Sequence, residues 1–246
     1  MTSPANIGTS PRSLTNSLAW AADGAAHLRG LMTRMGDDAF AAPSALPGWS
    51  RAHVLTHLAR SADGMVNLLT WARTGVRTPA YASLEQRSAD IEAGAARKPA
   101  EIRDDVVTSS DRLAQVVRKM PREAWSARVT NVQGREIPAS EIPWMRAREM
   151  WIHAVDLDVG ASFADLPAPM LAELLTEVAS MMGEKTDCPG LRLVAPERSW
   201  NTRDVPDPVT VTGPAPELVA WLLGRSTGRP LCCIDGGKLP ALPRWL

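Results

Sequence analysis

The chain reads as an α+β protein: an antiparallel four-helix bundle over residues 1–163, followed by a smaller α/β domain over residues 164–246. Three observations predict this. Four long segments in the first two thirds repeat apolar residues at helical spacing. Beyond residue 160 prolines become dense, with Pro189, Pro196, Pro206, Pro208, Pro214 and Pro230 cutting the chain into short pieces. Between those prolines lie short extended runs in place of long amphipathic ones.

The first helix is expected from Ser13 to Met35, with Leu14, Leu18, Ala21, Ala25, Leu28, Leu31 and Met32 on one side. A turn follows at Ala45–Ser50, and Ser50 is a good N-cap for a second helix reaching Arg73, with Gly75 as its stop. A third helical region spans Ser83–Lys119 and is interrupted at Pro99. After a loop holding Asn131 to Gly134, Pro138 is expected to start a fourth helix reaching Asp158. Another helix is expected over Pro167–Gly183 and a short one over Pro216–Gly224. Strands are expected at Leu191–Val194, Val209–Thr212 and Leu231–Ile234.

With 246 residues the chain can bury a substantial core without disulfides. Its 27 basic and 27 acidic residues balance, which gives no general attraction to nucleic acid or anionic lipid. The three cysteines, Cys188, Cys232 and Cys233, do not suggest a disulfide framework, and a reducing cytoplasm fits them better. Residues 1–11 are polar and carry no signal-peptide pattern, and no apolar run is long enough to span a membrane. The expectation is a soluble, cytoplasmic monomer acting on small molecules. Nine tryptophans stand against one tyrosine and two phenylalanines, a bias with no functional reading at this level.

Two runs carry chemistry. In the fourth helix Glu149 and His153 are four residues apart, and in the second His53 and His57 are too. Such residues share a helix face. A carboxylate and an imidazole from one helix, facing an imidazole from another, would make a three-ligand metal site with a position left open. A surface Glu–His pair is the plainer alternative. On a helical wheel His57 lies nearer the apolar centre of its helix than His53, so His57 is the better inward ligand. Asp156, three residues after His153, is spaced to orient its ring. His27 has no acidic partner at helical spacing and reads as structural. Arg225 would complement a helix C-terminus or clamp a carboxylate, and Arg87 has the same two readings. No nucleophile elbow, phosphate-binding loop or dinucleotide fingerprint is present.

The run GWSRAHVLTHLA (48–59), with NLLTWARTG (67–75) and TPAY (78–81), resembles the mycothiol-dependent maleylpyruvate isomerases. So do GREIPASEIPWMRAREMWIHAVDL (134–157) and the ending LPRWL (242–246). In the second domain VTVTG (209–213) and WLLGR (221–225) are similar too. The resemblance implies a DinB-like bundle with a smaller α/β domain. It implies zinc ligands at His57, Glu149 and His153, although the same donors also accept iron, manganese or nickel. It places the family's functional arginines at Arg87 and Arg225. It implies mycothiol as thiol cofactor and isomerisation of maleylpyruvate to fumarylpyruvate in gentisate breakdown. A mycothiol S-transferase, or a non-enzymatic metal-binding module, would use the same ligands.

Overall fold

In the computed structural model, which describes residues 12–245, the first three α-helices begin at serine caps. The polar stretch 1–11, expected to carry no leader, lies outside the described residues. Helix α1 (Leu14–Arg34) opens on Ser13, whose Oγ accepts from Asn16 N at 3.1 Å. Helix α2 (Arg51–Thr74) opens on Ser50 and ends at Gly75, whose φ of 73° is the left-handed stop a glycine supplies. The third region divides at Pro99, as its proline requires, into α3 (Leu84–Ala95) and α4 (Pro99–Arg118).

The fourth helix begins later than expected. Glu136–Pro138 is a strand, β2, paired antiparallel with β1 (Arg128–Thr130). Pro138 sits at the end of that ladder, where a missing N–H costs little. One 3₁₀ turn follows, and α5 runs Ile142–Asp156 with Pro143 in its first turn. Helix α1 packs along α5 and α2 along α4, with α3 laid against α2. Leu28, Leu31, Leu55, Leu58, Met150 and Leu157 are among the buried residues that join them.

Helix α6 (Ala168–Gly183) leads into a four-stranded sheet of β3 (Leu191–Val194), β4 (Ser199–Asn201), β5 (Val209–Thr212) and β6 (Cys232–Cys233). The order is β4-β3-β5-β6, with β3 and β5 parallel and the other pairs antiparallel. The sequence reading missed β4, whose three residues hold one apolar side chain, Trp200. The last strand is shorter than the expected Leu231–Ile234. Helix α7 (Ala215–Leu222) connects β5 to β6. Alternation in β3 turns Leu191 and Leu193 inward onto α6. The three cysteines are free thiols. Among the described residues no helix is long and apolar enough to cross a membrane.

The tryptophan bias has a structural reason. Trp20, Trp144 and Trp151 from the bundle share one buried cluster with Trp200, Trp221 and Trp245 from the C-terminal part. The core is therefore continuous across position 163. Large rings reach between elements far apart in sequence and bury much apolar area each.

Gly183 closes α6 against the sheet. A Cβ there would stand 1.8 Å from Thr202 O, a backbone atom that cannot swing aside. Gly183→Ala is expected to lower stability by roughly 2–3 kcal/mol in urea unfolding. Gly30→Ala, in the interior of α1 with only the end of Arg34 nearby at 3.5 Å, is expected to raise it by about 1 kcal/mol. Equal effects at the two positions would contradict this packing.

Candidate metal centre and its cleft

Helices α2 and α5 bring together the three residues singled out for metal binding. His57 Nε2 lies 2.8 Å from Glu149 Oε2 and 3.1 Å from His153 Nε2, and His153 Nε2 lies 3.5 Å from Glu149 Oε2. Among the described residues this is the cluster of histidine and carboxylate donors close enough to share one ion. Tetrahedral zinc with ligands at their usual lengths sets its donors about 3.3 Å apart. The triangle brackets that value, so the donor set fits a divalent metal in both chemistry and spacing.

His53 stands outside the triangle for a local reason. Its Nδ1 accepts from Ser50 N at 3.2 Å while Ser50 Oγ accepts from His53 N, a capping box at the start of α2. Its other nitrogen lies 3.2 Å from Glu92. His27 stacks on Trp151 at 4.9 Å between centroids, away from the triangle.

Each ring nitrogen that faces away from the triangle has its own partner. His153 Nδ1 is 2.9 Å from Asp156 Oδ2. This carboxylate is fully buried and also takes a two-pronged contact from Arg225, Nε at 3.0 Å and Nη2 at 3.1 Å. Arg225 follows α7, so the C-terminal part reaches the ring of His153 through one carboxylate. Its Nη1 also donates to Leu223 O at 2.7 Å. Both sequence readings of Arg225 missed Asp156, because the two residues are 69 positions apart. On the other ring, Arg87 of α3 donates from Nη2 to His57 Nδ1 at 2.9 Å. Its guanidinium also lies 5.5 Å from the Tyr81 ring.

These contacts set the charges. Burial pulls the His57 pKa below its ordinary value, against the neighbouring Glu149. Burial also opposes charge on His153, but hydrogen bonds to Asp156 and Glu149 outweigh it and push the pKa up to about 9. Glu149 is held well below the usual carboxylate range, its burial overcome by the two imidazoles. Asp156 is held low by His153 and Arg225 against the same penalty.

The triangle lies in a cleft of about 770 Å³. Its lining runs from His57, Tyr81 and Arg87 across α5 to Glu177 on α6 and to Arg225 and Trp245. Glu177 accepts from Trp144 Nε1 and pairs with Arg148 and Arg12, which fastens α6 to α5 along one wall. The β1–β2 hairpin contributes Asn131, Val132 and Arg135 at the mouth.

The mycothiol maleylpyruvate isomerase N-terminal domain model matches residues 21–158, more than half of the chain. The chain belongs to that family. The MDMPI C-terminal domain model matches residues 165–244. Among solved structures, a crystal structure of the mycothiol-dependent maleylpyruvate isomerase is similar over 94% of this chain and 97% of its own, with 35% identity and a TM-score of 0.88. A histidine-to-alanine mutant of that isomerase matches with the same figures. No curated sequence matches the chain significantly.

Within this family fold the raised pKa of His153 has a measurable consequence. In metal-free protein its folded value, about 9, stands above the unfolded 6.5. The stability it contributes is whole below pH 6.5 and is lost as pH rises through 9. The expected loss is on the order of 3 kcal/mol. Thermal melts of chelator-treated protein should fall across that interval. Metal-loaded protein should stay flat there, because a ligating imidazole is already neutral. A flat profile without metal would show that His153 is uncharged.

Proposed function

We propose that the protein is a mycothiol-dependent isomerase converting maleylpyruvate to fumarylpyruvate, with zinc held by His57, Glu149 and His153. The convergence of those donors on a deep cleft, in a chain of this family, carries the reading. When bound, zinc and mycothiol would together supply a thiolate near neutral pH, a nucleophile that adds to a cis double bond and leaves after rotation. The chain's own thiols are poorly placed for that role. None of the cysteines lines the cleft, and burial pushes the Cys188 and Cys233 thiols up. We place the reaction in gentisate degradation and the protein in the cytoplasm as a monomer.

The residues around the triangle divide the work. Asp156 keeps a proton on His153 Nδ1 and so leaves the Nε2 lone pair facing the metal position. Arg225 holds Asp156 in that orientation. A His57 ring that gives Nε2 to a metal carries its proton on Nδ1. Nδ1–H offers Arg87 no acceptor, so the guanidinium is freed toward the cleft. There it holds a substrate carboxylate and the negative charge that develops on the substrate's carbonyl oxygen. Arg87→Met is expected to lower kcat/KM roughly 100-fold and to leave zinc affinity unchanged or higher, measured by chelator competition. A parallel loss of zinc would assign Arg87 to the metal site instead.

The deciding assay uses maleylpyruvate with and without mycothiol. Fumarylpyruvate formed only with mycothiol, and with no net thiol consumed, is the expected result. A stable thiol adduct would point to an S-transferase, and no reaction would sink the substrate assignment.

A further inference from the structure

A second cavity, of about 280 Å³, lies between α1 and α4 and shares no lining residue with the main cleft. Its walls are two stripes at the same helical spacing. Leu18, Ala21, Ala22 and Ala25 come from α1, and Ser110, Leu113, Ala114 and Val117 from α4. Each stripe follows an i, i+3, i+4, i+7 pattern, which on a packed helix is the buried face. Here α1 pairs with α5 and α2 with α4, so the two stripes flank a groove that neither fills. The floor is Ile142, Pro143 and Arg146 of α5.

Arg146 is the unexpected element. It is 4% exposed, and its two recorded hydrogen bonds go to neutral acceptors: Nη1 to Leu58 O at 2.8 Å and Nη2 to Ser110 Oγ at 3.1 Å. The second contact brings the guanidinium to the groove wall. The salt bridges among the described residues include none to Arg146, although eight other arginines have carboxylate partners. Burial lowers its pKa to about 10, against the fields of Glu149, Tyr81 and Asp63, none of which makes a salt bridge to it. A buried cation hydrogen-bonded only to neutral acceptors is costly, and an anion in direct contact with it recovers part of that cost. Arg118, at the exposed rim, adds a second positive charge.

We propose that this groove binds a small amphiphilic carboxylate, its apolar body lying between α1 and α4 and its carboxylate paired with Arg146. The cavity is near the lower limit for small-molecule sites and too small for a partner helix. Apolar walls above a cationic floor select an anion with a hydrocarbon body over a sugar, a nucleotide or a neutral lipid. The site is separate from the metal triangle. It touches the same helix, α5, one turn before Glu149.

Octanoate is the probe, with octanamide as its neutral match, titrated into the full chain by calorimetry. The expected result is one equivalent of octanoate bound, with octanamide at least tenfold weaker. Ala114→Phe fills the groove from α4, and Ala25→Leu fills it from α1. Both positions are half-buried, and circular dichroism checks the fold of each variant. Either folded variant should lose octanoate binding at least tenfold. No saturable binding, equal binding of octanamide, or unchanged octanoate binding in a folded groove-filled variant would overturn the proposal. The last outcome would place the ligand in the main cleft.

Discussion

His57→Ala should empty the metal site, while His53→Ala should leave it loaded. The two histidines are one helical turn apart on α2, so the pair separates ligation from any general effect of losing an imidazole. His57 Nε2 stands within 3.1 Å of both other donors. Removing it leaves Glu149 and His153, two candidate donors from a single helix. Zinc held by a full protein set gains on the order of 10–16 kcal/mol, so one ligand in three or four is worth a few kcal/mol. The expected loss in zinc affinity is roughly 100- to 1,000-fold, with a parallel fall in mycothiol-dependent turnover. His53→Ala instead removes one half of a capping box and should cost about 1 kcal/mol of stability. Elemental analysis after dialysis, with melting curves alongside, reads both. Metal retained by His57→Ala, or lost equally from both variants, would end the assignment.

Asp156→Ala is expected to be the most destabilising single change near the site. The carboxylate is fully buried and serves two cationic partners from different parts of the chain. Its removal strands the Arg225 guanidinium and the His153 N–H together. Breaking a buried pair in this way costs about 3–5 kcal/mol. For a chain of this size that corresponds to roughly 10 °C or more in Tm. Zinc affinity should fall about 10- to 100-fold, the usual penalty for losing the partner that orients a ligating histidine. Asp156→Ala/Arg225→Ala should recover part of the stability, since the stranded cation is gone, and none of the zinc affinity. Strict additivity of the two changes would mean the contact carries no coupling energy.

Local rules read much of this chain because its signals are local. Ser13, Ser50, Pro99 and Gly75 each mark a helix end by chemistry confined to one turn. The i, i+4 spacing placed Glu149 and His153 on one face, and the wheel separated His57 from His53. Failure came where two local rules competed. The segment from Glu136 to Pro143 holds two prolines five residues apart, and either can start a helix. Only the pairing of Glu136 with Thr130 decides between them. β4 was illegible because a three-residue strand has no periodicity to show. The contacts of Arg225 with Asp156 and of Arg87 with His57 span 69 and 30 positions. Spacing along a helix says nothing about such pairs. The tryptophan bias was visible as a number, but its meaning needed the packing of two distant segments.

That shared tryptophan core bears on how such a chain can be recombined. A hybrid joining this bundle to a relative's C-terminal part would bring its own counterparts of Trp200, Trp221 and Trp245 against a foreign Trp20, Trp144 and Trp151. Matching the metal residues alone would not make the halves compatible. In such a hybrid the six ring positions have to be exchanged as a set.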